Sequence, residues 1–292
     1  MYKAIAANKR NTILIMIVFM LIIAGLGFVF SKVYGSTGIF WGTLVGAGIY
    51  TIIQYFVAAK VALAMNGANE IQKSDNPRLY RIVENLSITN GMPMPKVYII
   101  DDPAPNAFAT GRDPKHAYVA ATQGILDLMD DRELTAVMAH EMGHVKNYDI
   151  RVMMIVFGLV SAIGLITDMF FRMMWFGGDD RRDNNSPIFL IIGIVAAIIA
   201  PIVAMLVQLA VSRQREYLAD ATGAMTTRDP EGLADALEKI GQVGSGLKRQ
   251  NSSTAHLFFA NPLKGQSLAK LFSTHPTIEE RIARLRHMNS SF

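Results

Sequence analysis

The sequence predicts an α+β, mainly helical integral membrane protein in which four transmembrane helices carry a soluble domain with a small β-sheet. Composition is the first reason: of 292 residues, 51% are hydrophobic and only 18% charged, which places part of the chain in lipid. The second is that the apolar residues gather into four long runs. The third is the stretch between the second and third runs, where proline and glycine punctuate short β-like segments ahead of a helix carrying His140, Glu141 and His144. The net charge of +4 comes from dispersed basic residues that flank the apolar runs, as membrane anchoring requires, so no nucleic-acid partner is expected. With no cysteine there is neither a disulfide nor a thiolate metal ligand, which fits a reducing compartment.

Thr12–Phe30 is an uninterrupted apolar run after Lys3, Lys9 and Arg10. At about 1.5 Å per residue it crosses roughly 30 Å of hydrocarbon, and it is too long for the h-region of a cleaved signal peptide. Thr37–Ala59 is the second span, with Gly42 and Gly46 at the GxxxG spacing that lets helices pack closely. From Lys60 to Tyr148 charged residues return. Asn76–Asn90 reads as a helix with Leu79, Ile82, Val83 and Leu86 on one side and Gly91 just past its end. Lys96–Ile100, Asn106–Thr110 and Ala117–Ala121 read as short strands separated by turn signals.

Glu133–Asp149 is the helix that carries chemistry. Residues four apart share a helical face, so His140 and His144 can close on one metal ion while Glu141 stands beside it, the HExxH arrangement of a zinc site. Two neutral imidazoles hold Zn²⁺, one coordination position stays open for water, and a nearby carboxylate takes that water's proton. Asp130 or Asp131 caps the helix start, and Leu134, Val137 and Met138 give it an apolar face.

Arg151–Phe176 and Pro187–Val211 are the third and fourth spans, joined by the polar loop Gly177–Ser186. A membrane hairpin returns the chain to the side it left, so Ser212–Thr227 arrives beside the metal helix. There Arg213, Glu216 and Asp220 fall at helical spacing. Two protein ligands leave a zinc site incomplete, and a His₂Glu site takes one carboxylate from elsewhere in the chain; Glu216 is the candidate. Asp220 then accepts a hydrogen bond from the ring N–H of a ligating histidine. The alternative is that these charges pair along an exposed helix. His275 precedes Pro276 and the amphipathic helix Thr277–Met288; it is either an exposed helix-cap histidine or a group that stabilises the transition state or gates the metal. Four segments result: residues 1–59, a transmembrane hairpin; 60–150, with sheet and metal helix; 151–211, a second hairpin; and 212–292, with the third ligand.

Taken together, His140-Glu141-Met142-Gly143-His144 followed by Asp149, Ser212 to Asp220 (SRQREYLAD), Asn106 to Gly111 (NAFATG) and Thr274-His275-Pro276 resemble the HtpX-type membrane zinc metallopeptidases. The resemblance implies a gluzincin-like catalytic domain with one Zn²⁺ per chain on His140, His144 and Glu216, Glu141 as the catalytic base, and Asp149 and Asp220 as carboxylates behind the ligands. It implies that Asn106, Ala107, Phe108 and Ala109 form an edge strand that aligns the substrate backbone by strand addition. It also implies a bacterial cell membrane with the catalytic parts on the cytoplasmic side. The substrates it implies are damaged or misfolded membrane proteins and other unfolded polypeptides, cleaved as quality control and stress response. Three other classes share part of the pattern. A prenyl-protein CAAX protease needs an intramembrane chamber of more than four spans. A metal transporter needs ionisable ligands near mid-membrane, where the spans offer little beyond Gln54 and Gln208. A catalytically dead membrane chaperone would keep the same residues, and a protease assay with zinc content separates it.

Overall fold

The computed structural model describes residues 2–33, 35–159, 161–162, 213–249, 254–262 and 276–289. The third span beyond residue 162, the whole fourth span and His275 lie outside these residues. Two helices open the chain, α1 (Tyr2–Val33) and α2 (Thr37–Met65), the second running on past Ala59. Both contain stretches long and apolar enough to cross a membrane, Ile5–Gly25 at mean hydropathy 1.6 and Thr37–Met65 at 1.5. Their outer faces leave Ile13, Leu14, Leu21, Trp41, Ile52 and Phe56 exposed, an apolar surface that lipid would cover. The expected GxxxG contact is not made among the described residues: a Cβ added at Gly42 or Gly46 meets nothing within 4 Å, whereas one at Gly27 meets Thr43 at 3.1 Å. The close approach of α1 and α2 therefore falls at Gly27.

The soluble part is built on one mixed sheet of β1 (Ala68–Glu70), β2 (Lys96–Ile100), β3 (Ala107–Gly111) and β4 (Ala117–Thr122), ordered β1-β2-β4-β3. β2 and β4 run parallel; the other two pairings are antiparallel. Sequence reading expects three strands, and β1 escapes it because three residues straight after a membrane helix carry no alternation to detect. Between β1 and β2, α3 (Pro77–Asn90) starts where Asn76 accepts a hydrogen bond from the Leu79 amide at 2.9 Å, and it ends where Gly91 takes the left-handed φ of +61°. After β4 come a short α4 (Gln123–Leu128) and then α5 (Asp131–Lys146).

α5 is the central helix. Asp130 and Glu133 close a capping box on its first turn, at 2.8 and 3.0 Å, and this fixes the phase at which every later side chain emerges. Leu134, Ala136, Val137, Met138, Ala139, Met142 and Val145 are all buried, and so are Glu133, His140, Glu141 and His144, so beyond its first turn the helix is packed nearly all round. α6 (residues 149–159) follows after one turn, and its Val152, Ile155, Val156 and Leu159 pack against Ile15, Phe19 and Ile23 of α1. The chain re-enters with α7 (Arg213–Thr227) and α8 (Pro230–Val243), and it closes with α9 (Ile278–Asn289). One core cluster joins α3, α5 and α8 to the sheet, with Leu79, Leu134, Leu237 and Val119 all fully buried.

Candidate metal centre

His140 and His144 emerge one turn apart on the buried face of α5, with their Nε2 atoms 3.1 Å from each other. Glu216 reaches them from α7: its Oε2 lies 3.7 Å from His140 Nε2 and its Oε1 3.6 Å from His144 Nε2. Among the described residues this is the group that can hold a metal ion, with all three ligand atoms within 4.8 Å of one another.

Small residues bring the two helices this close. A Cβ added to Gly143 would meet the Ala219 backbone at 3.4 Å, and one added to Gly223 would meet the backbone N of His140 at 3.0 Å and its Cα at 3.2 Å. Backbone cannot swing aside as a side-chain end can. Gly223→Ala is therefore expected to push α7 off α5 by a few tenths of an ångström, destabilise the fold by about 1–3 kcal/mol and weaken zinc binding, since ligand distances tolerate only about 0.2 Å. Thermal unfolding and a zinc competition titration measure both effects; unchanged values for both would contradict the packing argument.

Each histidine is held from behind by a carboxylate. Asp220 Oδ1 is 2.9 Å from His140 Nδ1, and Asp149 Oδ2 is 3.0 Å from His144 Nδ1. A carboxylate only accepts, so each Nδ1 carries the hydrogen and each Nε2 turns a lone pair toward its neighbour. Two lone pairs at 3.1 Å with a carboxylate beside them repel unless a cation or a proton stands between them, and this donor set fits Zn²⁺. The two imidazoles sit in opposite fields: burial lowers the His140 pKa to about 4, whereas on His144 burial opposes charge but Asp149, Glu216 and Glu141 outweigh it and raise the pKa to about 9. The point where the two Nε2 atoms and the Glu216 carboxylate converge is the place a cation would occupy.

Glu141 lies beside that point with Oε2 buried and without a hydrogen-bond partner. Burial and the nearby Glu216 raise its carboxyl to about 7, against the pull of His144 and the Ala109 backbone N–H. A carboxylate near neutrality with an open oxygen is suited to taking and returning a proton.

Arg281 on α9 completes the site from the far end of the chain. It is 2% exposed and grips Asp220 with two nitrogens, Nη2 to Oδ1 at 2.7 Å and Nε to Oδ2 at 3.0 Å. Burial alone would raise the Asp220 carboxyl, but Arg281 and His140 hold it far below the usual carboxylate range. Asp220 therefore stays ionised behind His140. In the sequence Arg281 is one of several arginines on an amphipathic helix, and only the α9 packing distinguishes it.

The strand expected to offer an open edge is already paired. β3 is at the sheet margin, but Phe258 bridges Phe108 antiparallel and the Phe259 amide donates to the Ala107 carbonyl at 2.8 Å. Asn106 locks the segment from its side chain: Nδ2 donates to the Ala260 carbonyl at 2.8 Å, and Oδ1 accepts from the Ala260 amide at 3.1 Å. The Phe259 ring meets His140 edge-on, 5.0 Å between centroids, so this segment lies against the metal cluster.

Comparison with known proteins gives a consistent picture. The model for Peptidase family M48 matches residues 73–289. A protease HtpX homolog of Tropheryma whipplei (strain Twist) is 58% identical over 293 residues, covering 100% of both chains. One from Lactobacillus acidophilus is 46% identical over 300 residues, covering 99% of this chain and 100% of that protein. The crystal structure of S. mikatae Ste24p is similar in fold, with a TM-score of 0.52 at 19% identity; the match covers 93% of this chain and 62% of that one.

Proposed function

The chain belongs to peptidase family M48 and is a metalloendopeptidase of the membrane, and on that premise we propose that it cleaves damaged or misfolded membrane proteins with one zinc ion held by His140, His144 and Glu216. The observation that carries the reading is the convergence of two imidazole lone pairs and one carboxylate on a single buried point, with the free oxygen of Glu141 beside it. Bound Zn²⁺ would acidify a water and polarise the scissile carbonyl. Glu141, whose Oε2 has no hydrogen-bond partner in the fold, takes the proton of the attacking water and delivers it to the leaving amine. Asp149 and Asp220 keep the two imidazoles in the tautomer that presents Nε2. Lys3, Lys9 and Arg10 before the first span, and Arg213 and Arg215 after the fourth, favour a cytoplasmic catalytic domain in a bacterial cell membrane. Inverted membrane vesicles carrying the protein should cleave an added unfolded membrane protein, lose that activity to a chelator and regain it with zinc. Cleavage indifferent to the chelator would reject the proposal.

For the substrate we assign the edge of β3 at Asn106 to Ala109. Strand addition there requires Phe258–Ala260 to move out, because the segment now takes the hydrogen bonds of Ala107 and Asn106. The chain has no cysteine, so a single engineered pair is unambiguous. In Phe108→Cys/Phe258→Cys, residues that face each other across the antiparallel bridge, oxidation should staple the segment in place and block cleavage, and reduction should restore it. Equal cleavage by the oxidised and reduced forms would show that substrate does not use this edge.

A further inference from the structure

Asn8 is a buried amide near the start of α1. It lies just before Lys9, Arg10 and the apolar run that begins at Thr12, yet it is only 5% exposed, and burying an amide is unfavourable unless its hydrogen bonds are made. Its Nδ2 makes two, both to the turn that follows the metal helix: to the Asn147 carbonyl at 2.9 Å and to Asp149 Oδ1 at 2.6 Å. The other oxygen of Asp149 is the one on His144 Nδ1, at 3.0 Å. The turn itself is held in an unusual shape, since Tyr148 has a left-handed φ of +63° while Lys9 of α1 and Arg151 stand over its ring at 4.8 and 5.0 Å. That turn folds Asp149, fully buried, back beneath the His144 ring.

A carboxylate bonded through one oxygen can still rotate about its Cβ–Cγ bond; bonded through both, it cannot. Asn8 takes the oxygen that His144 does not, so the plane of Asp149 is fixed from the membrane helix and the His144 ring is fixed with it. Buried Arg215 adds positive charge near Asp149 from α7, but its electrostatic pull does not choose which oxygen faces the ring. We propose that Asn8 is a positioning residue for the metal centre, acting through Asp149 to orient His144, so that correct placement of the first membrane helix is a condition for tight metal binding. This rests on the reading of His144 as a metal ligand.

The test is zinc competition titration of the full-length chain in detergent, using the metal alone, for wild type, His144→Ala, Asp149→Asn, Asn8→Leu and Asn8→Leu/Asp149→Asn. Loss of either outer partner of a ligand typically costs about 10–100-fold in affinity, so Asp149→Asn should fall in that range and Asn8→Leu about tenfold. If Asn8 acts through Asp149, adding Asn8→Leu to Asp149→Asn should change affinity by less than about twofold, the non-additivity of residues in one network. Asn8→Ser, whose side chain is too short to reach Asp149, takes the place of Asn8→Leu should the leucine variant fail to fold. Wild-type affinity in Asn8→Leu and Asn8→Ser, or the same fold loss with and without Asp149→Asn, would overturn the inference and leave the metal site standing. Undiminished zinc binding in His144→Ala would overturn the metal site itself.

Discussion

Glu141→Gln is expected to retain its zinc and lose its turnover. Glutamine keeps the shape of the side chain and leaves His140, His144 and Glu216 in place, so dialysis against a weak chelator should remove no more metal than from wild type. It has no carboxylate to accept the proton of the attacking water, and positioned proton transfer is worth about 10²–10⁴-fold. Cleavage of an unfolded membrane protein should fall by at least about 10²-fold. The sign is clear because Glu141 Oε2 makes no hydrogen bond in the fold, so neutralising it breaks no structural contact of that atom. Removing negative charge from a buried group should if anything favour folding. Undiminished cleavage would mean that another group moves the proton.

Glu216→Gln should behave differently, although it too exchanges a buried carboxylate for an amide. Glu216 is 1% exposed and is the anionic member of the three-ligand group. The amide brings no charge to a divalent ion, so metal and activity should fall together, by more than the roughly 10–100-fold that a partner behind the ligands costs. Added zinc in excess should restore some cleavage to Glu216→Gln and none to Glu141→Gln. Retained stoichiometric zinc with near-normal cleavage in Glu216→Gln would remove this residue from the ligand set.

The parts of the site that were legible in the sequence are those whose geometry is local. His140 and His144 share a face because they are four apart on one helix, and the capping box of Asp130 and Glu133 is written in adjacent residues. Glu216 and Asp220 were within reach for a different reason: they too are four apart, and a two-histidine site is one protein ligand short. Asn8 left no such trace, because it meets Asp149 across 141 positions of sequence and is one of several polar residues, with Lys9, Arg10 and Asn11, ahead of the first apolar run. Arg281 was hidden by its neighbours Arg284 and Arg286, which are about half exposed where Arg281 is buried on Asp220. The substrate edge at Asn106 to Ala109 comes from the resemblance, which does not say what lies beside the strand, and the pairing of Phe258 with Phe108 is tertiary.

X-ray absorption at the zinc edge on the detergent-solubilised chain, with zinc per chain measured on the same sample, tests the His140, His144 and Glu216 metal centre most directly. One zinc per chain is expected, with two imidazole nitrogens at about 2.0–2.1 Å and carboxylate or water oxygen at about 2.0–2.2 Å completing the shell. In His144→Ala the second imidazole should be gone from the spectrum of whatever metal remains. A chain that binds no zinc at saturating metal, or a zinc shell with a different number of imidazoles, would contradict it.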